Sequence, residues 1–301
     1  MINELIDAYL TSSPYPREPR ANNRHWPSEA AYVKSNGDVI GKCIREQYFI
    51  RKQYPVEKAI AAHHIRKMDV GKAIELNEIK YAKECGIHVD DDVAFKIDKG
   101  DILISGKLDA VYQIDGEKVI VEYKTSDGYR FEQAVYGKYT RVKASPKPEH
   151  ILQVMLYLEA FPDMKRCIIF YLTRSDMYTI EHEIKLFSNQ AIVNDSPVEF
   201  NLGGIYKRYR ELTYYLDHDE LPPCDFNPSY SDDSDMEDLY NRGLINKVSL
   251  DDYINKGTLP GHWRCGAFCG YRNICTSMRD GDACPVSNSG VDNNIGAIVD
   301  I

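Results

Sequence analysis

The chain has 301 residues, 43% of them hydrophobic and 28% charged, with a net charge of −9 at pH 7. That length holds one large domain or two modest ones, and the composition is that of an ordinary soluble globular protein. The acidic balance excludes a generally basic nucleic-acid coat, though not a local basic groove.

No apolar run is long enough to span a bilayer, and the opening "MINELIDAYLTSSPYPREPR" carries charges and prolines where a signal peptide needs an apolar stretch. The expected location is the cytoplasm, with no membrane partner. In that reducing compartment the eight cysteines read as free thiols or metal ligands rather than disulfides.

In chain order, the first forty residues read as an extended arm with a short helix near "NELIDAYL". A helix follows at about 42–55, closed by Pro55. A long helical stretch, "KAIAAHHIRKMDVGKAIELNEIKYAKECG", is expected to break near Gly71 and end at Gly86. Strand signals come next: "DVAFKI", then "ILISGKLDAVYQI" and "KVIVEYKT", the last two joined by Asp115-Gly116, a strong hairpin turn. "EHILQVMLYLEAF" has helical spacing and stops at Pro162. "RCIIFYLT" and "MYTIEHEIKL" read as a second hairpin. The remainder reads as helical from about 188 to 217, then an acidic loop, a Cys-rich segment and a mobile tail. The segments divide as an N-terminal arm and helix (1–60), an α/β core (61–188), a C-terminal helical region with the cysteines (189–285) and the tail (286–301). Helices, three strands, a helix, two strands and helices imply a mixed sheet with helices packed on it.

Three charges interrupt these apolar strands. The Asp115-Gly116 turn sets a register that puts Asp109 opposite Glu122, and Lys124 shares the face of Glu122. Two carboxylates a strand apart repel unless a cation sits between them. Oxygen ligands favour Mg²⁺ or Mn²⁺, which can hold a phosphate oxygen and acidify a water. An ammonium beside them can orient the nucleophile and offset transition-state charge. The plainer alternative is a polar outer face of an antiparallel sheet. The same register brings Lys107 opposite Lys124, a like-charge pair that calls for a phosphate between them or a longer turn.

An acid, a hairpin and then Glu122-Tyr123-Lys124 resembles the PD-(D/E)XK nuclease superfamily. "QVMLY", with Gln153 and Tyr157 four apart on one helix face, is similar to the Gln-x-x-x-Tyr motif of its RecB-like branch. The resemblance implies that these two orient the site and contact the DNA strand. RecB-like nucleases also carry Gly-x-x-x-His with a metal-binding histidine. Here Gly71 is followed by Glu75, which can ligate Mg²⁺ or Mn²⁺, with Glu78 one turn on as the reserve. His63 and His64 read as surface or packing residues.

"WRCGAFCGYRNICTS" spaces Cys265, Cys269 and Cys275, and Cys43 lies far upstream. One N-terminal cysteine plus a C-terminal triplet resembles the iron–sulfur nucleases: the CRISPR-associated Cas-four family, the AddB nuclease subunit and their viral relatives. Their usual triplet has one residue fewer between the first two cysteines. The resemblance implies a 4Fe-4S cluster, with Zn²⁺ the alternative, held by Cys265, Cys269, Cys275 and Cys43, with Cys224 and Cys284 as other candidates for the fourth place. Cys85 and Cys167 read as packing residues.

The implied fold is a restriction-endonuclease-like mixed sheet flanked by helices, with a C-terminal helical region and a Cys-ligated metal cluster. The implied activity is a metal-dependent DNA nuclease, an exonuclease on single strands or duplex ends. Glu75, Asp109, Glu122 and the Tyr123 carbonyl would hold one or two divalent ions, Lys124 the water, and Gln153 and Tyr157 the strand. Recombination, helicase or CRISPR-adaptation proteins are the partners such nucleases imply. Arg130, Lys138, Arg141, Lys143 and Lys147, interleaved with Tyr129, Tyr136 and Tyr139, suit single-strand binding or a plain solvated loop. "SDDSDMED" reads as a solvated acidic loop. Two competing readings remain: a non-catalytic DNA-end-binding scaffold that keeps the fold and cluster, and a zinc-stapled protein of unrelated activity.

Overall fold

The computed structural model describes residues 2–12, 21–57, 60–126 and 145–278. Basic and aromatic residues 129–143, Cys284 and the tail expected at 286–301 lie outside the described residues. The helices are α1 (Ile2–Ser12), α2 (Ile44–Arg51), α3 (Ala62–Glu84), α4 (Pro148–Ala160), α5 (Leu202–His218), α6 (Met236–Asn241), α7 (Lys247–Lys256), α8 (Trp263–Ala267) and α9 (Arg272–Ser277). The strands are β1 (Arg24–His25), β2 (Ala31–Val33), β3 (Val39–Gly41), β4 (His88–Asp98), β5 (Leu103–Ile114), β6 (Glu117–Ser126), β7 (Cys167–Thr173), β8 (Thr179–Phe187), β9 (Gln190–Val193) and β10 (Ser196–Asn201). Among the described residues no helix is long and apolar enough to cross a membrane.

The main sheet runs β1-β5-β6-β7-β8-β9-β10, with β4 on the free edge of β5, and helices flank it. It is mixed, as expected. β5 and β6 are antiparallel, and β6 and β7 are parallel, joined by a crossover that contains α4. Neighbouring residues on β6 feed opposite layers. Ile120 packs with Leu152, Met155 and Leu156 of α4, whereas Val119 and Val121 pack with Ile74 and Ile79 of α3. The sheet is thus buried on both sides at its centre.

Asp115 and Gly116 both take the left-handed conformation (φ 52° and 83°), the geometry of a two-residue hairpin turn. The pairing runs in the expected register from Ile114↔Glu117 to Ala110↔Val121 and stops there. β1 pairs with Leu103 and Ile104 along the same edge of β5. Residues 105–109 therefore face that edge with no strand partner among the described residues, and β6 runs on beside β7 alone. The sheet forks at Asp109. The expected confrontation of Lys107 with Lys124 does not occur, because the strands have parted before reaching it; Lys107 pairs with Ala94 of β4 instead.

Three further expectations are corrected. α3 is one unbroken helix through Gly71, because the glycine serves close approach rather than a break: a Cβ there would stand 3.0 Å from Thr125 Oγ1 on β6. Residues 188–201 are not helical but form β9 and β10. Their turns, Ser188-Asn189 and Asn194-Asp195, each hold two consecutive left-handed residues, which Asn and Asp tolerate. "SDDSDMED" is only half loop: the Asp235 carboxylate accepts from the Asp238 amide and starts α6.

Side-chain bonds join segments far apart in sequence. The Glu57 carboxylate, just before α3, accepts from the backbone amides of Asn273 (2.9 Å) and Ile274 (2.6 Å), capping α9 from 216 and 217 residues away. Asp225 accepts from the Ile44 amide at the start of α2 and from Arg208 of α5, each at 2.6 Å. Glu57→Ala is expected to lower stability by about 1 kcal/mol, the ordinary cost of a lost helix cap. Limited proteolysis should show earlier cleavage within 263–278, and thermal melting should show the loss; unchanged melting and digestion would mean the cap is dispensable.

Candidate active site

The fork is where charge collects. Glu122 is only 2% exposed. Its Oε1 accepts from Lys124 Nζ at 2.5 Å and from Gln153 Nε2 at 2.7 Å. Gln153 Oε1 in turn accepts from Lys124 Nζ at 3.2 Å, so amide, ammonium and carboxylate close a triangle. Behind it, Gln153 Nε2 lies 2.6 Å from the Tyr157 hydroxyl. The Gln-x-x-x-Tyr spacing works here as helical spacing should: both residues sit on the α4 face turned to β6. Tyr157 itself is 2% exposed, so its hydroxyl backs the glutamine from inside the core.

Asp109 stands on the other limb of the fork. Its Oδ2 accepts from the Tyr123 amide at 2.8 Å, just beyond the last pair, Ala110 and Val121. A side chain thus takes a backbone donor at the point where the two strands part. Burial and the neighbouring Glu122 push the Asp109 carboxyl well above the usual range, with Glu75 adding to the rise and Lys124 opposing it. Burial works against the Lys124 ammonium, but Glu122 and Asp109 outweigh it and hold its pKa above the ordinary lysine value. Glu75 shares this field while its Oε1 accepts from Lys72 at 2.6 Å. Glu78, one turn on, faces elsewhere: it acts on the hydroxyls of Tyr112 and Tyr123, which meet at 2.5 Å under α3. The rings of His63 and His64 touch at a tilt, 4.0 Å between centroids, in the first turn of α3.

The patch therefore carries more negative than positive charge, and Glu122 Oε2 is buried without a hydrogen-bond partner. An orphaned, buried carboxylate oxygen beside a second carboxylate is the donor chemistry of a hard divalent cation. Glu122, Asp109 and Glu75 are the side chains that could hold one. Among the described residues, however, no three His, Cys, Asp or Glu side chains stand closely enough together to do so as they are placed.

One neighbour was not expected from the sequence. His150 lies on the same α4 face as Gln153 and Tyr157, at spacings of three and seven. Its Nδ1 is 2.7 Å from the hydroxyl of Tyr171, a β7 residue paired with Lys124. Burial, Lys124 and Lys147 hold the imidazole pKa well below its usual value. The spacing was the available signal, but an isolated histidine three residues before a glutamine has no meaning until the sheet beneath it is known.

Cys224, Cys269 and Cys275 pack in one cluster with Ile44, Tyr48 and Phe49 of α2. Cys43 is the residue before α2; Cys224 and Cys275 place their sulfurs 3.5 Å apart; Cys265 Sγ donates to Phe226 O at 3.7 Å. Arg45 Nη1 lies 3.8 Å from Cys275 Sγ. Burial, then Asp225, raises the Cys43 thiol well above its ordinary value, and burial with Glu46 pushes Cys269 up to about 12. Burial, Cys269, Cys275 and Cys224 raise Cys265 as well. Cys224, Cys265 and Cys275 are buried and Cys43 and Cys269 half-buried, but among the described residues no three of them stand closely enough together to hold a metal as they are placed. Cys167 is a core residue as expected, but Cys85 is not: it is exposed at the end of α3, its sulfur bonded to Tyr81 O.

No family model matches the chain, and no curated protein matches it in sequence. Solved structures resemble it weakly. The crystal structure of SSO0001 has 15% identity and a TM-score of 0.41, over 72% of this chain and 87% of that one. An alkaline exonuclease (LHK-Exo) from Laribacter hongkongensis has 14% identity and a TM-score of 0.37, over 58% and 87%. The same exonuclease in complex with dAMP has 14% identity and a TM-score of 0.38, over 58% and 87%. All three scores lie below 0.5, and the site is read from its own geometry.

A carboxyl whose pKa is raised by folding stabilises the fold fully below its unfolded pKa, and that contribution is lost as pH rises through the folded value. Asp109→Asn keeps an oxygen for the Tyr123 amide and removes the charge. In thermal melts without divalent ions, the variant is expected to be more stable than wild type at pH 8 by roughly 0.5–2 kcal/mol. The difference should vanish at pH 4 and narrow when Mn²⁺ is added. A variant no more stable at pH 8 would mean that the buried charge is already compensated.

Proposed function

We propose that this chain is a metal-dependent nuclease that hydrolyses phosphodiester bonds of DNA, acting on single strands or free ends. The observation that carries the reading is the set of Asp109, Glu122, Lys124 and Gln153 at the fork between β5 and β6, Glu122 buried with an unsatisfied oxygen and the others half-buried. A buried carboxylate beside a second, half-buried one costs stability, and the cost is understandable where a cation and an anionic substrate are brought together.

Glu122, Asp109, Glu75 and the Tyr123 carbonyl would hold Mg²⁺ or Mn²⁺, which supplies a polarised phosphate oxygen and a more acidic water. The chain's own residues do the positioning. Glu122 and Gln153 fix the Lys124 ammonium at a single place, from which it can donate to the attacking water or to the oxygen that gains charge. Gln153, bonded on one side to Glu122 and on the other to Tyr157, keeps that carboxylate from turning into the core. Cys43, Cys265, Cys269 and Cys275 would hold a 4Fe-4S cluster, with Zn²⁺ as the alternative, and tie the two ends of the chain across the core.

A second reading has one observation in its favour: Glu75 is paired with Lys72 rather than turned to Asp109 and Glu122 as a third ligand. On that reading the chain binds DNA ends without cutting them. Anaerobically purified protein, end-labelled single- and double-stranded DNA and Mg²⁺ or Mn²⁺ decide between the two. Wild type is expected to degrade DNA, with Glu122→Gln and Lys124→Ala each slower by about 10²-fold or more. DNA binding without cleavage by wild type would favour the scaffold. Iron and sulfide content with absorbance near 400 nm, lost on Cys265→Ser, is expected for the cluster; a colourless, zinc-containing protein would replace it with Zn²⁺.

A further inference from the structure

The side of the site toward the start of α4 carries a polar group that the hydrolytic reading leaves unused. Tyr171 is fully buried, and its parallel pairing with Lys124 puts both side chains on the same face of adjacent strands. Its hydroxyl accepts from the Lys147 amide at 3.0 Å and meets His150 Nδ1 at 2.7 Å. A hydroxyl that accepts from the backbone has its own proton to give, and Nδ1 lies in hydrogen-bond range to take it. With the hydroxyl donating to Nδ1, the ring proton sits on Nε2.

The α4 face opens as it runs toward its N-terminus. Tyr157 is buried, whereas Gln153 and His150 are half-buried. The Gln153 amide is fully committed to Glu122, Lys124 and Tyr157. One turn earlier, His150 stands beside Lys124 and Lys147, on the cationic side of a site whose other side is carboxylate. An anionic strand entering this site is attracted to that side. Resting on the nuclease reading above, we propose that His150 is a further substrate-contacting residue, whose Nε2–H donates to a phosphodiester oxygen of the DNA strand next to the one at Lys124.

The Tyr171 bond fixes the ring and its tautomer, so the donor is pre-oriented before the strand arrives. Burial first, then Lys124 and Lys147, disfavours the imidazole cation, so the ring donates without adding charge. It can therefore hold a phosphate oxygen without competing with Lys124 for Glu122.

Glutamine and asparagine separate the two nitrogens of histidine. Glutamine places its amide near Nε2, and asparagine places its amide near Nδ1. Fluorescence anisotropy of a labelled single-stranded oligonucleotide, with Ca²⁺ in place of Mg²⁺, reads binding without turnover. His150→Gln is expected to bind within about threefold of wild type, and His150→Asn to bind about tenfold more weakly or worse, the size of a lost hydrogen bond to a charged group. The reverse order, with His150→Asn equal to wild type and His150→Gln weakened, would reduce His150 to a prop for Tyr171 and overturn the proposal. If His150→Asn does not fold, Tyr171→Phe stands in: unchanged binding by that variant overturns the proposal as well. The expected order of binding in a wild type that never cleaves DNA would sink the hydrolytic reading and leave the His150 contact standing. No binding by wild type would sink both.

Discussion

A carboxylate buried to 2% exposure must have its charge answered, and the answer given to Glu122 organises the centre of this protein. One of its oxygens takes both an ammonium and an amide; the other has no partner. To supply the ammonium, β6 must run past the end of its pairing with β5. To supply the amide, α4 must lie with Gln153 over the strand. To bring Glu75 into the same field, α3 must cross β6 closely, which the missing Cβ of Gly71 permits against Thr125. The fork in the sheet, the α4 crossover and the unbroken α3 all follow from one charged side chain held in a place that would otherwise be apolar.

Much of this could be read along the chain because it is local. The Asp115-Gly116 turn fixes a register within a dozen residues, and that register held down to Ala110↔Val121. The spacing of Gln153 and Tyr157 needs only helical geometry. What escaped the sequence depends on the rest of the fold. A run of paired residues gives no sign of where it will split, so Lys107 and Lys124 were expected to meet. Gly71 offered both a helix break and a close approach, and only the strand beneath it decides that it serves the second. β9 and β10 are four and six residues long, and their Ser-Asn and Asn-Asp turns rely on left-handed asparagine and aspartate rather than on glycine. His150 had a helical spacing to Gln153, but its partner Tyr171 arrives from the next strand.

The cysteine region has a different logic. Asp225 starts α2 and pairs with Arg208, Arg45 donates to Pro222 O at 2.7 Å, and Arg264 donates to Gly41 O at 2.7 Å. The cysteines lie within a framework of arginine and aspartate hydrogen bonds. Arginine suits this work because its several donors bridge loop carbonyls that have no strand or helix to pair with. The sequence displayed the thiols, and it hid the scaffold that gathers them.

The contact between Glu57 and the first turn of α9 also sets an order in time. Glu57 lies just ahead of α3, the helix that carries Glu75 to the fork, while its two bonding partners are made more than two hundred residues later. As the chain is synthesised from its N-terminus, the sheet and both of its helical layers are complete before those partners exist. The anchoring of α3 at its leading end therefore waits for the last part of the described chain, and so do the contacts of highest sequence separation, which are the slowest to form. The charged centre is laid down early and clamped late, so a ribosome-bound or truncated chain holds the residues of the site without the tie that steadies one of its walls.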